Sequence, residues 1–162
     1  MKKNDFKKFI NLLKKIKKDK KKVIFAGNGG SAAMASHVSV DFSKVCKIRS
    51  TNFNEADLIT CYANDYGYQN WITEALKSYA DKDDLVVLIS SSGKSANIVN
   101  AAKYCNKNKI KLVTFTGFKN NNPLRKLGKL NFWVNSNEYN IIEMAHHVWI
   151  LMAVDFLSKN KK

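Results

Sequence analysis

The stretch "VVLISSSGKSANIV", residues 86–99, joins an apolar run to a helical pattern through a turn that holds four serines and one glycine. The apolar run predicts a buried strand, and the small polar residues after it predict a turn into a helix. Backbone N–H groups at the start of a helix, together with serine hydroxyls, suit an anion such as phosphate. The alternative is an ordinary loop in which the Ser95 hydroxyl caps the helix.

The same strand, loop and helix pattern occurs elsewhere in the chain. "KKVIFAG" (21–27) predicts a strand, and "NGGSAAMASHVSVDFSK" (28–44) predicts a glycine-rich turn and a helix. "IKLVTFTG" (110–117) and "LNFWVNS" (130–136) predict two more strands, and "IIEMAHHVWILMAVDFLSK" (141–159) predicts a long final helix. This alternation predicts an α/β fold, with a parallel sheet between layers of helices.

The remaining segments complete a one-domain organisation. An amphipathic lysine-rich helix is predicted over residues 1–20, and residues 21–162 are predicted to form a single domain without repeats or linkers. Residues 58–80 predict helical segments broken near Gly67, and Pro123 indicates a surface loop. The apolar stripe of the first helix consists of Phe6, Phe9, Ile10, Leu13 and Ile16.

Composition narrows the class of protein. A chain of 162 residues is long enough for one hydrophobic core. Its three cysteines have no C-x-x-C spacing, which favours a reducing compartment, and the longest uncharged apolar run, 148–154, is too short for a membrane span. We therefore expect a soluble cytoplasmic protein with no membrane partner.

The formal net charge of +15 comes almost entirely from lysine, since only Arg49 and Arg125 are arginines. Surfaces that read nucleic-acid bases usually use arginine. A nucleic-acid partner bound by the lysine-rich N-terminus is therefore not favoured, whereas a small anionic substrate would benefit from the positive field. The glycine-rich loop "GNGGS" (27–31) and the serine turn match neither a dinucleotide fingerprint nor a P-loop.

The two loops, with "ANDYGY" (63–68) and "KLVTFTG" (111–117) in the same order, resemble the SIS (sugar isomerase) family and most closely the sedoheptulose 7-phosphate isomerases, or phosphoheptose isomerases. The resemblance covers about residues 22–157 and implies a three-layer α-β-α sandwich with a five-stranded parallel sheet, the flavodoxin-like SIS fold. It also implies a homotetramer with active sites between subunits, although a dimer is an alternative. The residues it assigns to substrate binding are Asn28, Gly29, Ser31, Asp65, Ser90, Ser91, Ser92 and Ser95.

His37 and Asp41 stand four positions apart on a predicted helix, so their side chains share one face. Aldose–ketose isomerisation needs a base, an acid and often a metal. By the resemblance, this pair corresponds to the family's His-x-x-x-Glu motif, which supplies two metal ligands and the catalytic base, with Asp in place of Glu. The alternative is a structural polar pair between helices.

The final helix departs from the family pattern of a Gln followed eight residues later by a His. Those positions fall on Ile142 or Glu143 and on Ile150 or Leu151. The hypothesis is then a relocated site, in which Asp41 is the base and His147 or His146 is the acid. The alternative places both histidines at a subunit contact. The metal ligands of this hypothesis, for a zinc ion, are His37, Asp41, Glu143 and His147.

The resemblance thus predicts a phosphosugar aldose–ketose isomerase that acts on sedoheptulose 7-phosphate or a similar ketose phosphate. Its product would supply heptose for a surface polysaccharide. The alternative function is a non-catalytic SIS module that binds a sugar phosphate or a protein partner, and the unmatched histidine of the final helix favours it.

Overall fold

The computed structural model describes residues 1–159, so the end of the predicted domain at residues 160–162 lies outside the described part of the chain. The chain alternates between helices and short strands from one end to the other. In order, the elements are α1 (Lys3–Lys18), β1 (Val23–Ala26), α2 (Gly30–Lys44), β2 (Ser50–Asn52), α3 (Ala56–Tyr66), α4 (Trp71–Tyr79), β3 (Leu85–Ser90), α5 (Ala96–Lys107), β4 (Lys111–Thr116), α6 (Pro123–Leu127), β5 (Leu130–Trp133) and α7 (Tyr139–Lys159).

The strands form one five-stranded sheet in the order β2-β1-β3-β4-β5, and every neighbouring pair is parallel. The predicted α/β fold with a flavodoxin-like strand order is confirmed. The chain reverses its direction of travel across the sheet between β1 and β3. In sheets of this kind, ligands bind outside the carboxyl ends of the strands at that reversal.

Helices cover both faces of the sheet because the strands are apolar on both sides. Val23 and Phe25 of β1 face one core cluster, whereas Ile24 and Ala26 face the other, as the period of a strand requires. The first cluster contains the buried residues of α1, α2 and α7, and the second contains those of α4, α5 and α6. Helix α1 is therefore built into the main core and is not a free-standing extension.

Two elements differ from the sequence-based expectation. Strand β2 was not predicted, because a three-residue polar edge strand has no apolar pattern. The expected loop at Pro123 contains the short helix α6, which has Pro123 in its first turn and the Asn122 side chain accepting a bond from the Arg125 N–H. The predicted break near Gly67 is confirmed, since Gly67 has a φ of 79° between α3 and α4.

Helix α7 has three distinct faces. One face is buried and includes Ile142, His146 and Ile150. A second, one turn apart at each step, carries Tyr139, Glu143 and His147. The third, here called the outward stripe, consists of the exposed residues Ile141, Met144, Val148 and Met152.

Among residues 1–159, α7 is the one helix whose length and composition would allow it to cross a membrane. Ile150, Ala153 and Val154 of this helix pack in the same core cluster as the sheet.

Candidate active site

The loops after β1 and β3 meet at the reversal of the sheet and enclose a small polar pocket of about 120 Å³. We call it the serine pocket. Six of the predicted binding residues line it, together with two residues from the start of α7. Its lining consists of Asn28, Ser31, Ile89, Ser90, Ser91, Ser92, Ser95, Tyr139 and Glu143.

One hydroxyl of the serine pocket, that of Ser91, has no protein partner in the described part of the chain, whereas Ser92 Oγ accepts the Lys94 N–H at 3.2 Å. Ser91 is only 5% exposed, and its Oγ has no hydrogen-bond partner. The predicted cap by the Ser95 hydroxyl does not form: Ser95 occupies the cap position, but its Oγ lies 3.3 Å from Ser90 Oγ. A buried hydroxyl without a partner is costly, so an oxygen-rich anion in the pocket would satisfy a donor that the protein leaves unpaired.

A pair of side-chain amides joins the two loops. Asn28 Nδ2 donates to Asn97 Oδ1 at 3.0 Å, and Asn97 Nδ2 donates to Asn28 Oδ1 at 2.8 Å. Tyr68 donates its hydroxyl to the same Asn28 oxygen at 3.3 Å. Asn97 was not predicted as a site residue, because its partner is 69 positions away and its only signal was a polar residue in the first turn of a helix.

Two glycines lie beside the serine pocket at the start of α2. Gly29 has a φ of 52°, which glycine adopts at low cost, but it does not line the pocket, so its role in substrate binding stays a prediction. A Cβ atom at Gly30 would overlap the Glu143 carboxylate. The small residue thus lets Glu143 approach the N-terminus of α2, where the helix dipole favours a negative charge.

His37, Asp41 and His147 form a continuous line, here called the His–Asp line. His37 Nε2 lies 3.4 Å from Asp41 Oδ2, and His37 Nδ1 lies 3.0 Å from His147 Nε2. The two imidazole rings are edge to face, with centroids 4.9 Å apart. A proton on His37 Nε2 is favoured by the carboxylate, so His37 Nδ1 is left to accept the N–H of His147.

The environment of His147 keeps its ring neutral. Partial burial lowers the pKa of His147 below its ordinary value, the neighbouring His37 lowers it further, and Asp41 opposes both. A neutral imidazole at pH 7 retains one N–H donor and one nitrogen acceptor. His147 is therefore equipped to pass a proton in either direction.

The serine pocket and the His–Asp line occupy successive levels of the same two helices. Glu143 lies beside Gly30 at the first level, and His147 lies beside His37 at the second. Glu143 and His147 are four residues apart on α7, a rise of about 6 Å. A ligand held by its anionic end in the pocket would extend along the helices toward the histidines.

Two other predicted site residues lie away from this groove. His146 is fully buried, its Nε2 is 3.0 Å from the Thr116 carbonyl oxygen, and burial lowers its pKa to about 4. A neutral core histidine does not fit the predicted acid role, so His146 is corrected to a structural residue. Asp65 is exposed on α3, does not line the serine pocket and contacts Cys61 and Asn64 instead.

The predicted zinc ligands do not converge. Within residues 1–159, no group of three or more His, Cys, Asp or Glu side chains is placed to hold a metal ion. Both ring nitrogens of His37 face protein partners, and Glu143 lies at Gly30. The four side chains therefore do not form a zinc site in this arrangement, and zinc binding remains a prediction that rests on the resemblance alone.

A serine-lined pocket at the reversal of a 2-1-3-4-5 parallel sheet defines an α/β protein whose site suits a phosphorylated ligand. The SIS domain model matches residues 1–117. The chain belongs to the SIS domain family, and its similar relatives are phosphoheptose isomerases.

The similarity extends over most of the chain. It is 30% identical over 135 residues to the phosphoheptose isomerase of Aliarcobacter butzleri, covering 80% of this chain and 71% of that one. It is 29% identical over 153 residues to that of Buchnera aphidicola, covering 88% and 79%. The phosphoheptose isomerase GmhA of Neisseria gonorrhoeae has the same fold, with a TM-score of 0.89 at 22% identity over 97% of this chain and 86% of that chain.

Proposed function

We propose that this protein is a sugar-phosphate isomerase that interconverts sedoheptulose 7-phosphate and a heptose 7-phosphate. The names of its relatives support the substrate. One observation in the structure carries the proposal: the serine pocket and the His–Asp line lie one above the other along α2 and α7. This placement suits a substrate with a phosphate at one end and a reacting carbonyl toward the other.

The serine pocket would hold the phosphate. The unpaired Ser91 hydroxyl and the hydroxyls of Ser90, Ser92 and Ser95 donate to the phosphate oxygens, and the start of α5 adds its helix dipole. Binding energy gained at this remote group orients the reacting carbons at the histidines.

The His–Asp line would then move the proton. Asp41 takes a proton from the carbon next to the ketose carbonyl, and an enediolate forms. The Nδ1 atom of His147 carries no proton when its Nε2–H is donated to His37, so it takes the proton of the neighbouring hydroxyl and passes it to the former carbonyl oxygen. Asp41 then returns its proton to the former carbonyl carbon, and the aldose carbonyl forms. Both residues end in their starting states.

The alternative, a non-catalytic module that binds a sugar phosphate, is favoured by one observation on α7. Ile142 and Ile150, which correspond by one alignment to the family's Gln and His, are both fully buried in the core. On that face of α7, His146 is the one polar side chain among the buried residues, and its Nε2 is bonded to the Thr116 carbonyl oxygen. Catalysis therefore depends on the face of α7 that carries Glu143 and His147.

We also propose that the protein is a cytoplasmic homo-oligomer, with a tetramer as the expected form, whose product supplies heptose for a surface polysaccharide. The outward stripe of α7 supports self-association. Four large apolar residues exposed on one face are unusual for a monomer, and Val40 of the adjacent α2 is 59% exposed as well.

The decisive experiment incubates the purified protein with sedoheptulose 7-phosphate and follows the aldose by NMR. Formation of a heptose 7-phosphate, lost on heating the protein, supports the isomerase. A rise in melting temperature with the phosphosugar but no product supports the binding module. Neither a product nor a shift at millimolar ligand would reject both functions.

A further inference from the structure

An open pocket of about 340 Å³, here called the basic pocket, lies at the amino-terminal ends of the strands, the edge of the sheet opposite the serine pocket. It lies where β1 and β2 begin, after the ends of α1 and α2. Five of the six residues that line it are cationic: Lys17, Lys20, Lys21, Lys47 and Arg49, with Ile48 as the sixth.

The charge of this pocket is left largely uncompensated. Within residues 1–159, none of the five cations has a carboxylate ion pair, and the pocket lining contains no acid. Asp81 and Asp83 act on them at longer range, because Lys21 contributes to lowering the pKa of both carboxyls and Arg49 contributes to lowering that of Asp81. The principal partner of Asp81 is Lys22, whose Nζ lies 2.6 Å from its carboxylate.

Two other cations on the same edge, Lys22 and Lys111, are paired with acids. Lys22 also bonds Asp84 at 2.6 Å, and Lys111 bonds Asp83 at 2.6 Å. Pairing with acids is therefore available on this edge and is used at the neighbouring positions. The five cations of the basic pocket stand apart from that pattern, and their mutual repulsion is relieved only by an anion or by solvent.

The polypeptide also holds these cations in place. Lys17 Nζ donates to the Cys46 carbonyl oxygen at 2.7 Å, and the Arg49 guanidinium donates to the Lys20 carbonyl. These two bonds tie the α1–β1 turn to the α2–β2 turn across the pocket. Lys20 and Lys47 have φ values of 54° and 55°, a conformation that glycine adopts at lower cost. Lysine is thus present at two positions where the backbone favours glycine.

We propose that the basic pocket binds a small polyanion with two or more linked phosphate groups, such as inorganic pyrophosphate or a nucleoside diphosphate. The volume suits a small ligand, and five cations exceed what a single phosphate needs. The site is separate from the serine pocket, since the two open at opposite ends of the parallel strands.

The test is calorimetric titration of the full protein with inorganic pyrophosphate at one fixed low salt concentration. Lys20→Gly and Lys47→Gly each remove one charge. Each also removes the conformational cost of a non-glycine residue with positive φ, so both variants are expected to fold. Each should weaken binding about fivefold, and the double variant about 25-fold. Pyrophosphate that does not bind, or binds the double variant as it binds the natural protein, overturns the proposal.

Two matched controls locate the site. Lys109→Gly removes a lysine with a φ of 57° on the same edge but outside the basic pocket, and it should leave binding unchanged. Ser91→Ala alters the serine pocket and should also leave it unchanged. Loss of binding in Ser91→Ala would show that pyrophosphate binds in the serine pocket. That result would overturn the proposal but leave the proposed isomerase function unaffected. A DNA duplex provides the last test. If the natural protein binds the duplex, the double variant does not, and pyrophosphate fails to displace it, the basic pocket binds a nucleic acid and the proposal of a small polyanion is overturned.

Discussion

His37 and His147 lie 110 positions apart in the sequence, yet their ring nitrogens approach to 3.0 Å and place Asp41 at the far end of the same line. The contact joins α2 to α7. It gives this chain a histidine at the groove although the family's position on α7 is occupied by isoleucine or leucine.

Asp41→Asn should reduce turnover of sedoheptulose 7-phosphate by about 10²- to 10⁴-fold, because the amide cannot accept the proton from carbon. Phosphosugar binding, measured as the shift in melting temperature, should be retained since the serine pocket is unchanged. Asp41→Glu restores the family's residue and should keep measurable activity. Equal turnover in Asp41→Asn and the natural protein would remove Asp41 from the mechanism.

The adjacent histidines provide a matched pair of variants. His147→Gln should lower turnover by about 10²-fold, because it removes the nitrogen that exchanges a proton with the substrate. His146→Gln keeps an N–H donor for the Thr116 carbonyl and should leave turnover near that of the natural protein. The reverse result would show that the acid lies on the buried face of α7. Steady-state rates at saturating substrate make the comparison.

Ser91→Ala should separate stability from binding. Its buried hydroxyl has no partner, so removing it should leave the free energy of unfolding unchanged or raise it by about 1 kcal/mol. Phosphosugar affinity should fall about tenfold, as a charge-assisted hydrogen bond is lost. Urea unfolding and ligand titration measure the two effects. Ser158→Ala, at the far end of α7, is the control and should change neither.

Stability should decrease between pH 7 and pH 5 because of His146. Its folded-state pKa of about 4 is below the ordinary value of 6.5, so the unfolded chain binds more protons in this range and stability falls as pH falls. The loss attributable to this group is about 2 kcal/mol at pH 5. Urea unfolding at both pH values should show it in the natural protein, and His146→Gln should remove that component. An equally steep dependence in the variant would contradict the assignment.

Val148→Asp should convert the proposed oligomer to a monomer, because it places a carboxylate in the centre of the outward stripe. Light scattering during gel filtration measures the mass. Lys103→Asp also introduces a carboxylate, but on the opposite face of the sheet at an exposed position of α5, and it should leave the mass unchanged. A monomeric natural protein would show that the stripe does not mediate self-association.

Much of the fold could be predicted from the sequence because the strands β1, β3 and β4 are apolar runs and α1 has a single apolar face. Strand β2 could not be predicted, since its three polar residues become a strand only through their pairing with β1. The serine pocket was predictable as well, because its residues follow two strands directly and the carboxyl ends of parallel strands meet.

The histidines show where such reasoning stops. His146 and His147 are adjacent and have the same side chain, so they differ only in their direction, by about 100° around the helix. Only packing decides that one faces Thr116 in the core and the other faces His37. The Asn28–Asn97 amide pair was missed for a related reason: Asn28 was predicted as a substrate-binding residue, but nothing in the sequence connects it to Asn97, 69 positions away.

Because α7 presents its polar face to the groove and its outward stripe to the exterior, a rotation of this helix moves both faces at once. If the outward stripe mediates the proposed self-association, a substrate that repositions Glu143 or His147 would alter the surface offered to a neighbouring copy. Occupancy of the groove and assembly of the protein would then be linked equilibria, and each would change the equilibrium constant of the other by the same factor.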